Sequence, residues 1–339
     1  MKFTVKNPTI KDVAKQSEVS VATVSRILND LGGYSEDTRK RVIQVIDEIG
    51  YRRNDIARNL KIKSSNTIAV LMPKVGTNFY TEILNGIQDS AHNSGYSVII
   101  CNVGDNGDRT EEYIKIMIER QVDGIIVCSL PPEKSLIENI VRVNIPVVLI
   151  STMYSGYSIP YIKVDDYKAS YAAVEYLIKM GHRDIAMLGG NPLDPIAGIP
   201  RLQAFIDALR NNKLKVKENL IKHNGFSFKD GITSMEQLLK EKEKFTAIFA
   251  SCDEIAIGAI SVAHKTGLKI PEDISIIGYD GTQIGEMCYP PLTTLVQPFY
   301  DMGEKAVKIL EKKISSSDNV ESLIMPFKIA ERNTVKSIV

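Results

Sequence analysis

The stretch Thr9 to Asn29, TIKDVAKQSEVSVATVSRILN, decides the fold of the N-terminal part of the chain. Thr9 is a good N-cap residue, and Asp12 three residues later favours a capping box, so we expect a helix that begins at Ile10. Ser20 supplies a second cap after a turn of about three residues. Two short helices joined by so tight a turn are typical of a helix-turn-helix unit.

The second predicted helix has an apolar face and a polar face. The apolar residues are expected to pack onto the first helix, and they are Val24, Ile27 and Leu28. On the other face, Arg26 can donate twice to a guanine edge, and Val21 and Ala22 can contact a thymine methyl group. Hydroxyl and amide side chains can bond phosphates, which completes a predicted DNA-contacting set of Thr9, Ser20, Val21, Ala22, Thr23, Ser25, Arg26 and Asn29. The spacing alone leaves an alternative open, namely two small helices of an ordinary α-helical domain.

Length and charge indicate several domains with different partners. A chain of 339 residues is too long for one small core and is expected to form two or three domains. Residues 1–63 contain 13 Lys/Arg and 8 Asp/Glu, whereas the remainder contains 29 and 33. A basic head on a mildly acidic body is typical of a head that contacts phosphates, although so small a difference also arises by chance.

Several classes of protein are not favoured by the sequence. No apolar run approaches 18 residues and the first residues are polar, so we expect no membrane segment, no signal peptide and a cytoplasmic location. Four widely spaced cysteines fit no zinc or redox motif and are predicted to be buried reduced thiols: Cys101, Cys128, Cys252 and Cys288. Nucleotide-binding, metalloprotease and hydrolase motifs are absent, so we predict no enzyme activity, no cofactor and no metal.

A third helix and a linker are expected after the helix-turn-helix. Ser35 can cap the third helix and Gly50 can end it, which predicts a three-helix head over residues 1–53. Residues 54–61, NDIARNLK, carry an apolar stripe on a helix too short to be stable alone in water. We therefore assign residues 54–65 to a hinge helix and linker. The alternative is a plain linker helix whose Leu60 packs on the body.

The rest of the chain alternates short apolar runs with amphipathic helical segments. The runs are TIAVLM, YSVIIC, DGIIVC, IPVVLIS, DIAMLG, TAIFAS and ISIIGY. Because they are mostly continuous rather than alternating, they favour parallel strands buried on both faces. The predicted fold class is therefore α/β, with an effector-binding and dimerisation domain over residues 66–339 that divides into two similar subdomains.

Polar residues at strand ends point to a ligand cleft, because ligands of open α/β sheets lie beyond the carboxyl ends of the strands. The residues that follow the apolar runs are Pro73, Cys128, Ser151, Asp253 and Asp280. The carboxylates of Asp253 and Asp280 can accept sugar hydroxyls, unless both residues are helix N-caps. Arg201 opens a helix after a Pro/Gly-rich loop, where its guanidinium can bind vicinal hydroxyls or a phosphate.

Motifs along nearly the whole chain resemble the lactose/galactose repressor family, and within it the catabolite control protein branch. They include DVAKQSEVSVATVSRILN, TRKRVIQVIDEIGY, NFYTEILNGI, VDGIIV, GHRDIAMLGG, FASCDEIAIGA, IPEDISIIGYD and PPLTTLVQPFYDMG. The resemblance implies a periplasmic-binding-protein-like body, with subdomain 1 at about 66–163 and 295–325 and subdomain 2 at about 164–294 and 326–339. It also implies a homodimer on a pseudo-palindromic operator.

The resemblance assigns the hinge to the DNA minor groove. In the family, two hinge helices pair there, and a leucine that matches Leu60 wedges into the base stack and bends the DNA. The hinge residues implied to contact DNA are Asn54, Ala57, Leu60 and Lys61. Arg53 stands where the family commonly has proline, so the chain departs from the family pattern at the start of the hinge.

The resemblance also implies an effector site and a second possible partner. The implied effector residues are Phe79, Tyr80, Arg201, Asp253, Asp280, Gln297 and Phe299, and the effector is a small sugar or sugar phosphate. Cys128 and Ser151 replace polar ligands of galactoside-binding members, which argues against a lactose-type effector. The catabolite control branch uses a serine-phosphorylated phosphocarrier protein, for which the candidate interface here is Tyr300, Asp301, Lys305 and Lys308.

Together these features predict a homodimeric transcriptional regulator, a repressor of carbohydrate metabolism genes switched by its effector. The alternative is a regulator whose corepressor is a serine-phosphorylated phosphocarrier protein. A solute-binding protein would have a similar body, but it would be expected to have a secretory leader and to lack a basic head. The sequence agrees with neither expectation.

Overall fold

A computed structural model of the protein describes residues 8–51, 65–73, 78–104, 107–130, 138, 142, 145–154, 158–316 and 320–339. The chain divides into two compact units, residues 1–65 and 66–339, which are treated separately below. Within the described residues, no helix is both long and apolar enough to span a membrane.

The described part of the head, residues 8–51, contains three short helices whose ends are set by the sequence: α1 (Ile10–Gln16), α2 (Val21–Leu28) and α3 (Glu36–Ile49). The Ser20 hydroxyl accepts a hydrogen bond from the Thr23 amide at 3.0 Å, and Ser35 accepts from the Thr38 amide at 3.2 Å. Gly50 ends α3 with φ +65°, a left-handed conformation that glycine adopts without cost. The predicted helix starts and the predicted stop at Gly50 are therefore confirmed.

A small apolar core holds the head together. Each helix contributes two buried side chains, which are Val13 and Ala14, Val24 and Ile27, and Val42 and Val45. So few buried groups make every contact important for the stability of a unit this small.

The body contains two α/β subdomains that share one topology. The first part of the chain forms β1 (Thr67–Met72), α4 (Asn78–Asn93), β2 (Ser97–Asn102), α5 (Thr110–Glu119), β3 (Gly124–Cys128), β4 (Val147–Ile150) and β5 (Tyr161–Val164). The second part forms α6 (Asp166–Lys179), β6 (Ile185–Leu188), α7 (Gly198–Asn211), β7 (Ile221–Lys222), α8 (Phe228–Lys240), β8 (Ala247–Ala250), α9 (Asp253–Lys265), β9 (Ser275–Asp280), α10 (Gln283–Met287) and β10 (Thr293–Val296). The last elements are α11 (Phe299–Ser315), β11 (Leu323–Met325) and β12 (Lys328–Ala330).

The strand order confirms the predicted pair of parallel-sheet subdomains. The first sheet runs β11-β5-β4-β3-β1-β2, and the second runs β12-β10-β9-β8-β6-β7. All neighbouring pairs in the two sheets are parallel except β10 and β12. In each sheet the order reverses beside the first strand, between β1 and β3 and between β6 and β8. Such a reversal opens a crevice at the carboxyl ends of the strands.

The chain crosses between the two sheets three times. It leaves the first sheet after β5, returns after β10, and passes from β11 in the first sheet to β12 in the second. The sequence placed the return at residue 295, but Leu295 and Val296 pair with β9 in the second sheet. The chain therefore leaves the second sheet after Val296.

Candidate functional site

Helix α2 turns a mixed apolar and polar face outward. Val24 and Ile27 are buried in the head core, whereas Val21 is 42% exposed and Ala22 and Arg26 are exposed as well. This division agrees with the predicted outward face, which has the width and chemistry to enter a DNA major groove.

The polar residues of the predicted DNA-contacting set also bond within the head. The Thr9 amide and hydroxyl both donate to Asp12 Oδ2, at 2.8 and 2.7 Å, and the predicted capping box between the two residues is present. Asn29 Nδ2 donates to the Ser25 carbonyl at 2.6 Å. Because a hydroxyl has a single O–H to donate, Thr9 must release Asp12 before it can donate to a phosphate oxygen. The hinge residues Asn54, Ala57, Leu60 and Lys61 lie outside the described residues, and their roles stay predictions.

The body has a cavity of about 770 Å³ at the carboxyl ends of both sheets. This volume falls in the range of small-molecule sites in proteins. The first subdomain contributes Pro73, Phe79, Tyr80, Ser129 and Ser151 to the lining. The second contributes Asn191, Arg201, Phe226, Glu254, Asp280 and Thr282, and Gln297 lies on the return crossover.

Arg201 is held in the cavity by several hydrogen bonds and a ring contact. Its Nε and Nη2 donate to Asp166 Oδ1 at 3.0 and 2.7 Å, and its Nη1 donates to the Ser251 carbonyl at 2.6 Å. The guanidinium also lies 3.8 Å from the centroid of the Tyr279 ring. Burial lowers the pKa of Arg201, but Asp166 and the other nearby groups raise it by more, so the group stays charged. Of its five N–H groups, two remain for a ligand after these bonds.

Asp280 faces the same cavity from the end of β9. Its φ of +120° is rare for a residue with a side chain, and such strain is typical of functional sites. Gln297 Nε2 donates to Asp280 Oδ1 at 2.8 Å, and the Gln297 amide donates to the Asp280 carbonyl at 3.0 Å. Burial raises the pKa of Asp280 well above its usual range, and Arg201 offsets part of that effect. The carboxyl is thus held in place as an acceptor for a ligand hydroxyl, or as a donor when protonated.

Two serine hydroxyls in the first subdomain form a matching pair. Ser129 and Ser151 follow the adjacent strands β3 and β4, and both have left-handed backbones, with φ of +50° and +53°. Both Oγ atoms are buried without a hydrogen-bond partner among the described residues. Because an unpaired buried hydroxyl costs free energy, these two groups are well suited to bond a ligand that fills the cavity.

Among the described residues that line the cavity, most charged side chains are acidic. These are the carboxylates of Asp166, Asp194, Asp230, Glu254 and Asp280, against the cations Lys163 and Arg201. Both cations contact the same carboxylate, because Lys163 Nζ lies 3.1 Å from Asp166 Oδ2. Asp194 accepts from three backbone amides of its own loop, and Asp230 accepts from Ser227. Glu254 makes no such contact within the part of the chain that the structure describes.

Two predicted effector residues lie behind the cavity wall rather than in it. Asp253 is fully buried, and its carboxylate accepts from the Thr282 amide and hydroxyl at 2.7 Å and from the Thr294 hydroxyl at 2.5 Å. Burial raises its pKa to about 6 although these hydrogen bonds favour the ionised form. Asp253 therefore fixes the loop after Asp280 and is not available as a sugar ligand.

Phe299 also supports the wall from behind. Its ring packs edge-on against Phe79, with centroids 4.6 Å apart, and the side chain is 4% exposed. The strand-end residue Cys128 is fully buried in the core, and its neighbour Ser129 lines the cavity instead. Sequence reasoning missed Lys163 and Asp166 as well as Ser129, Phe226 and Glu254.

The candidate phosphocarrier surface on α11 is occupied by local contacts. The Tyr300 hydroxyl donates to Asp89 Oδ2 at 2.9 Å, and Lys308 Nζ donates to Glu304 at 2.6 Å. Asp301 is exposed and Lys305 is half-buried on the same helix. Acidic and basic groups thus alternate on this surface.

Comparisons with known proteins find relatives of both the head and the body. The profile described as bacterial regulatory proteins, lacI family, matches residues 9–54. The profile described as periplasmic binding proteins and sugar binding domain of LacI family matches residues 65–333. The chain is 37% identical to catabolite control protein A of Priestia megaterium over 331 residues, which cover 97% of this chain and 100% of the relative.

Solved structures are similar over nearly the full length as well. A lac repressor dimer bound to operator and the anti-inducer ONPF has a TM-score of 0.87 at 26% identity, over 98% of this chain and 100% of that chain. A complex of the transcriptional regulator CelR with cellobiose has a TM-score of 0.74 at 27% identity, over 97% of this chain and 100% of that chain.

Proposed function

This chain belongs to the lacI family of bacterial regulatory proteins, and on that basis we propose that it represses carbohydrate metabolism genes as a homodimer on a pseudo-palindromic operator. It is a DNA-binding transcriptional regulator controlled by a small effector, and it is not an enzyme. One observation supports control by a small effector: the body holds a polar cavity of about 770 Å³ in which Arg201 has N–H groups left to donate. Because such a regulator acts on the chromosome, we place it in the cytoplasm.

The proposed switch is a change in the angle between the two subdomains. A ligand that bonds Ser129 and Ser151 on one side and Arg201 and Asp280 on the other would fix that angle. Residues 54–65 would then bring the two hinge helices of a dimer together or apart. The ligand controls operator affinity only if it binds the two arrangements of the body differently.

We further infer that the effector is a sugar without a phosphate group. The two cations of the cavity already contact Asp166, whereas Glu254 is not neutralised by any described residue. A phosphate dianion would meet more carboxyl groups than cations among the described lining residues, which disfavours it. Hydroxyl groups, in contrast, can donate to Glu254 and Asp280 and accept from Arg201.

Matched pairs of sugars test this inference on the full chain. Thermal unfolding and calorimetric titration with glucose, ribose and fructose are compared with glucose 6-phosphate, ribose 5-phosphate and fructose 1,6-bisphosphate. Cellobiose and glucosamine are added as further unphosphorylated sugars. We expect at least one unphosphorylated sugar to raise the melting temperature and each phosphorylated sugar to bind more weakly than its parent. A phosphorylated sugar that binds tighter than its parent, or a panel in which no unphosphorylated sugar binds, would contradict the inference.

A phosphocarrier protein as corepressor is the weaker alternative. A phosphoserine is best bound by a bidentate arginine, and the candidate surface offers lysines, of which Lys308 is paired with Glu304. Asp301 and Asp89 on the same surface would repel the phosphate. We therefore favour the small-molecule effector over the phosphoprotein.

The dimer surface is proposed to include the turn after α10. Met287 and Tyr289 are 76% and 84% exposed there, which is unusual for two large apolar side chains so close in sequence. We expect Tyr289→Asp to weaken dimerisation about 10- to 100-fold, the typical effect of losing an aromatic group at the centre of an interface. Sedimentation velocity measures this effect, with Ile338→Asp at another exposed apolar position as the control. An unchanged dimer in Tyr289→Asp would place the interface elsewhere.

A further inference from the structure

A turn after α2 touches the arginine that faces outward from the head. Arg26 Nε donates to the Gly32 carbonyl at 3.1 Å. Gly33 follows with φ +79°, and a Cβ atom at this position would lie 2.9 Å from Arg26 Nη2 and 3.1 Å from Cζ. The space that the guanidinium occupies therefore exists because residue 33 has no side chain.

The turn is itself fixed to the head. The Leu31 amide donates to the Arg26 carbonyl at 3.0 Å, and the Tyr34 hydroxyl donates to Asp30 Oδ1 at 2.8 Å. The Tyr34 ring packs against the core of the head. These contacts hold the turn, and with it the Gly32 carbonyl, in place on the head.

The position of this contact on the guanidinium matters for base recognition. The bond to Gly32 uses Nε and leaves both terminal nitrogens of Arg26 with their N–H groups. That edge can donate two parallel hydrogen bonds to O6 and N7 of a guanine. An arginine held by its Nε has fewer rotamers to lose when it binds DNA, so more of the bonding energy goes into discrimination between bases.

We propose that the Gly32-Gly33 turn positions Arg26 for sequence readout, and that a side chain at residue 33 shifts the guanidinium out of this position. The inference rests on the proposed role of Arg26 in contacting a base. It adds a determinant of operator specificity that itself need not touch DNA.

The test is Gly33→Ala in the full chain, measured on two duplexes by fluorescence anisotropy. One duplex is the tightest-binding sequence that the wild-type protein selects from a random library, and the other is a random sequence of equal length. We expect Gly33→Ala to weaken binding to the selected duplex about tenfold, the effect of misplacing one base-contacting hydrogen-bond donor, and to change binding to the random duplex less than twofold. The preference for the selected duplex should fall by the same factor.

Gly50→Ala is the matched control. Gly50 has φ +65°, close to that of Gly33, but a Cβ atom there meets nothing within 4 Å. Both substitutions place a side chain at a residue of positive φ in the head, and only one reaches Arg26. Gly33→Asn repeats the test with a residue that tolerates the left-handed conformation, in case alanine unfolds the head.

Arg26→Ala distinguishes the proposed base contact of Arg26 from the proposed positioning role of the Gly32-Gly33 turn. In that background the guanidinium is gone, so Gly33→Ala should cause no further loss of preference for the selected duplex. If Arg26→Ala alone leaves the preference intact, the proposed role of Arg26 fails. If Arg26→Ala lowers the preference but Gly33→Ala does not, or if Gly50→Ala lowers it equally, the positioning role of the turn is wrong.

Discussion

Arg201→Ala is expected to abolish the response of operator binding to the effector. The substitution removes the two N–H groups that remain for a ligand and a positive charge from a buried cavity. Two charge-assisted hydrogen bonds correspond to a loss of about 100-fold or more in ligand affinity. Removal of the arginine also deprives Asp166 of a buried partner, which should lower the free energy of unfolding of the body by about 3 kcal/mol.

Two further variants distinguish binding from folding. Arg201→Lys keeps the charge but loses the planar fork, so it should retain stability better than Arg201→Ala and still bind the ligand weakly. Arg210→Ala changes an exposed arginine on the same helix and should behave as wild type. Calorimetric titration and thermal unfolding measure the two effects separately. A folded Arg201→Ala protein with a full effector response would remove Arg201 from the site.

Arg26→Ala is expected to lower specific operator binding by about 1 to 3 kcal/mol and to leave nonspecific binding mostly intact. Arg26 extends from the exposed face of α2, where its terminal nitrogens are free of the contact to Gly32. A contact to a base discriminates between DNA sequences. A contact to a phosphate raises the affinity for every sequence and increases the salt dependence of binding. The ratio of the two affinities is therefore the informative quantity.

Binding of Arg26→Ala is measured on selected and random duplexes over a range of salt concentrations. The slope of affinity against salt should stay close to that of wild type, because no phosphate contact is removed. Arg26→Lys retains the charge but not the fork and should lose most of the preference as well. Equal losses on both duplexes would instead assign Arg26 to the DNA backbone.

The head could be predicted from local sequence because its helix ends are set by single residues. Ser20 and Ser35 each bond the amide three residues later, and Gly50 takes the left-handed conformation that ends α3. These effects act within one helical turn and leave a clear signal in the sequence. The bond from Arg26 to Gly32 has no such signal, because it depends on how the turn folds back.

The body was predictable where a strand was a long apolar run. Strand β5 spans four residues and contains Lys163, so its run was not recognised as a strand, and the rule for strand-end ligands was not applied to Asp166. Lys163 is buried because it pairs with a carboxylate that also binds Arg201. A charged residue inside a short apolar run was therefore the available signal of a site.

Asp253 shows where the strand-end rule fails. Asp253 lies shortly after β8, and Asp280 lies at the end of β9. From sequence alone, both residues are assigned the same role as ligand acceptors. The difference is tertiary, because Thr282 and Thr294, about 30 and 40 residues away along the chain, donate to both carboxylate oxygens of Asp253. A residue that binds the ligand can be distinguished from one that supports the site only when its hydrogen-bond partners in the folded chain are known.

We propose that a homodimer binds a palindromic duplex through its two heads and is controlled through the cavity in each body. The most direct measurement is a titration of wild-type and Arg201→Ala protein against a selected palindrome and a random duplex, alone and with each unphosphorylated sugar, each sugar phosphate and a serine-phosphorylated phosphocarrier protein. We predict a strong preference of both proteins for the palindrome, and at least one unphosphorylated sugar that changes the affinity of wild type but not of Arg201→Ala. No preference for the palindrome under any condition, or a change in affinity that Arg201→Ala retains in full, would contradict the account.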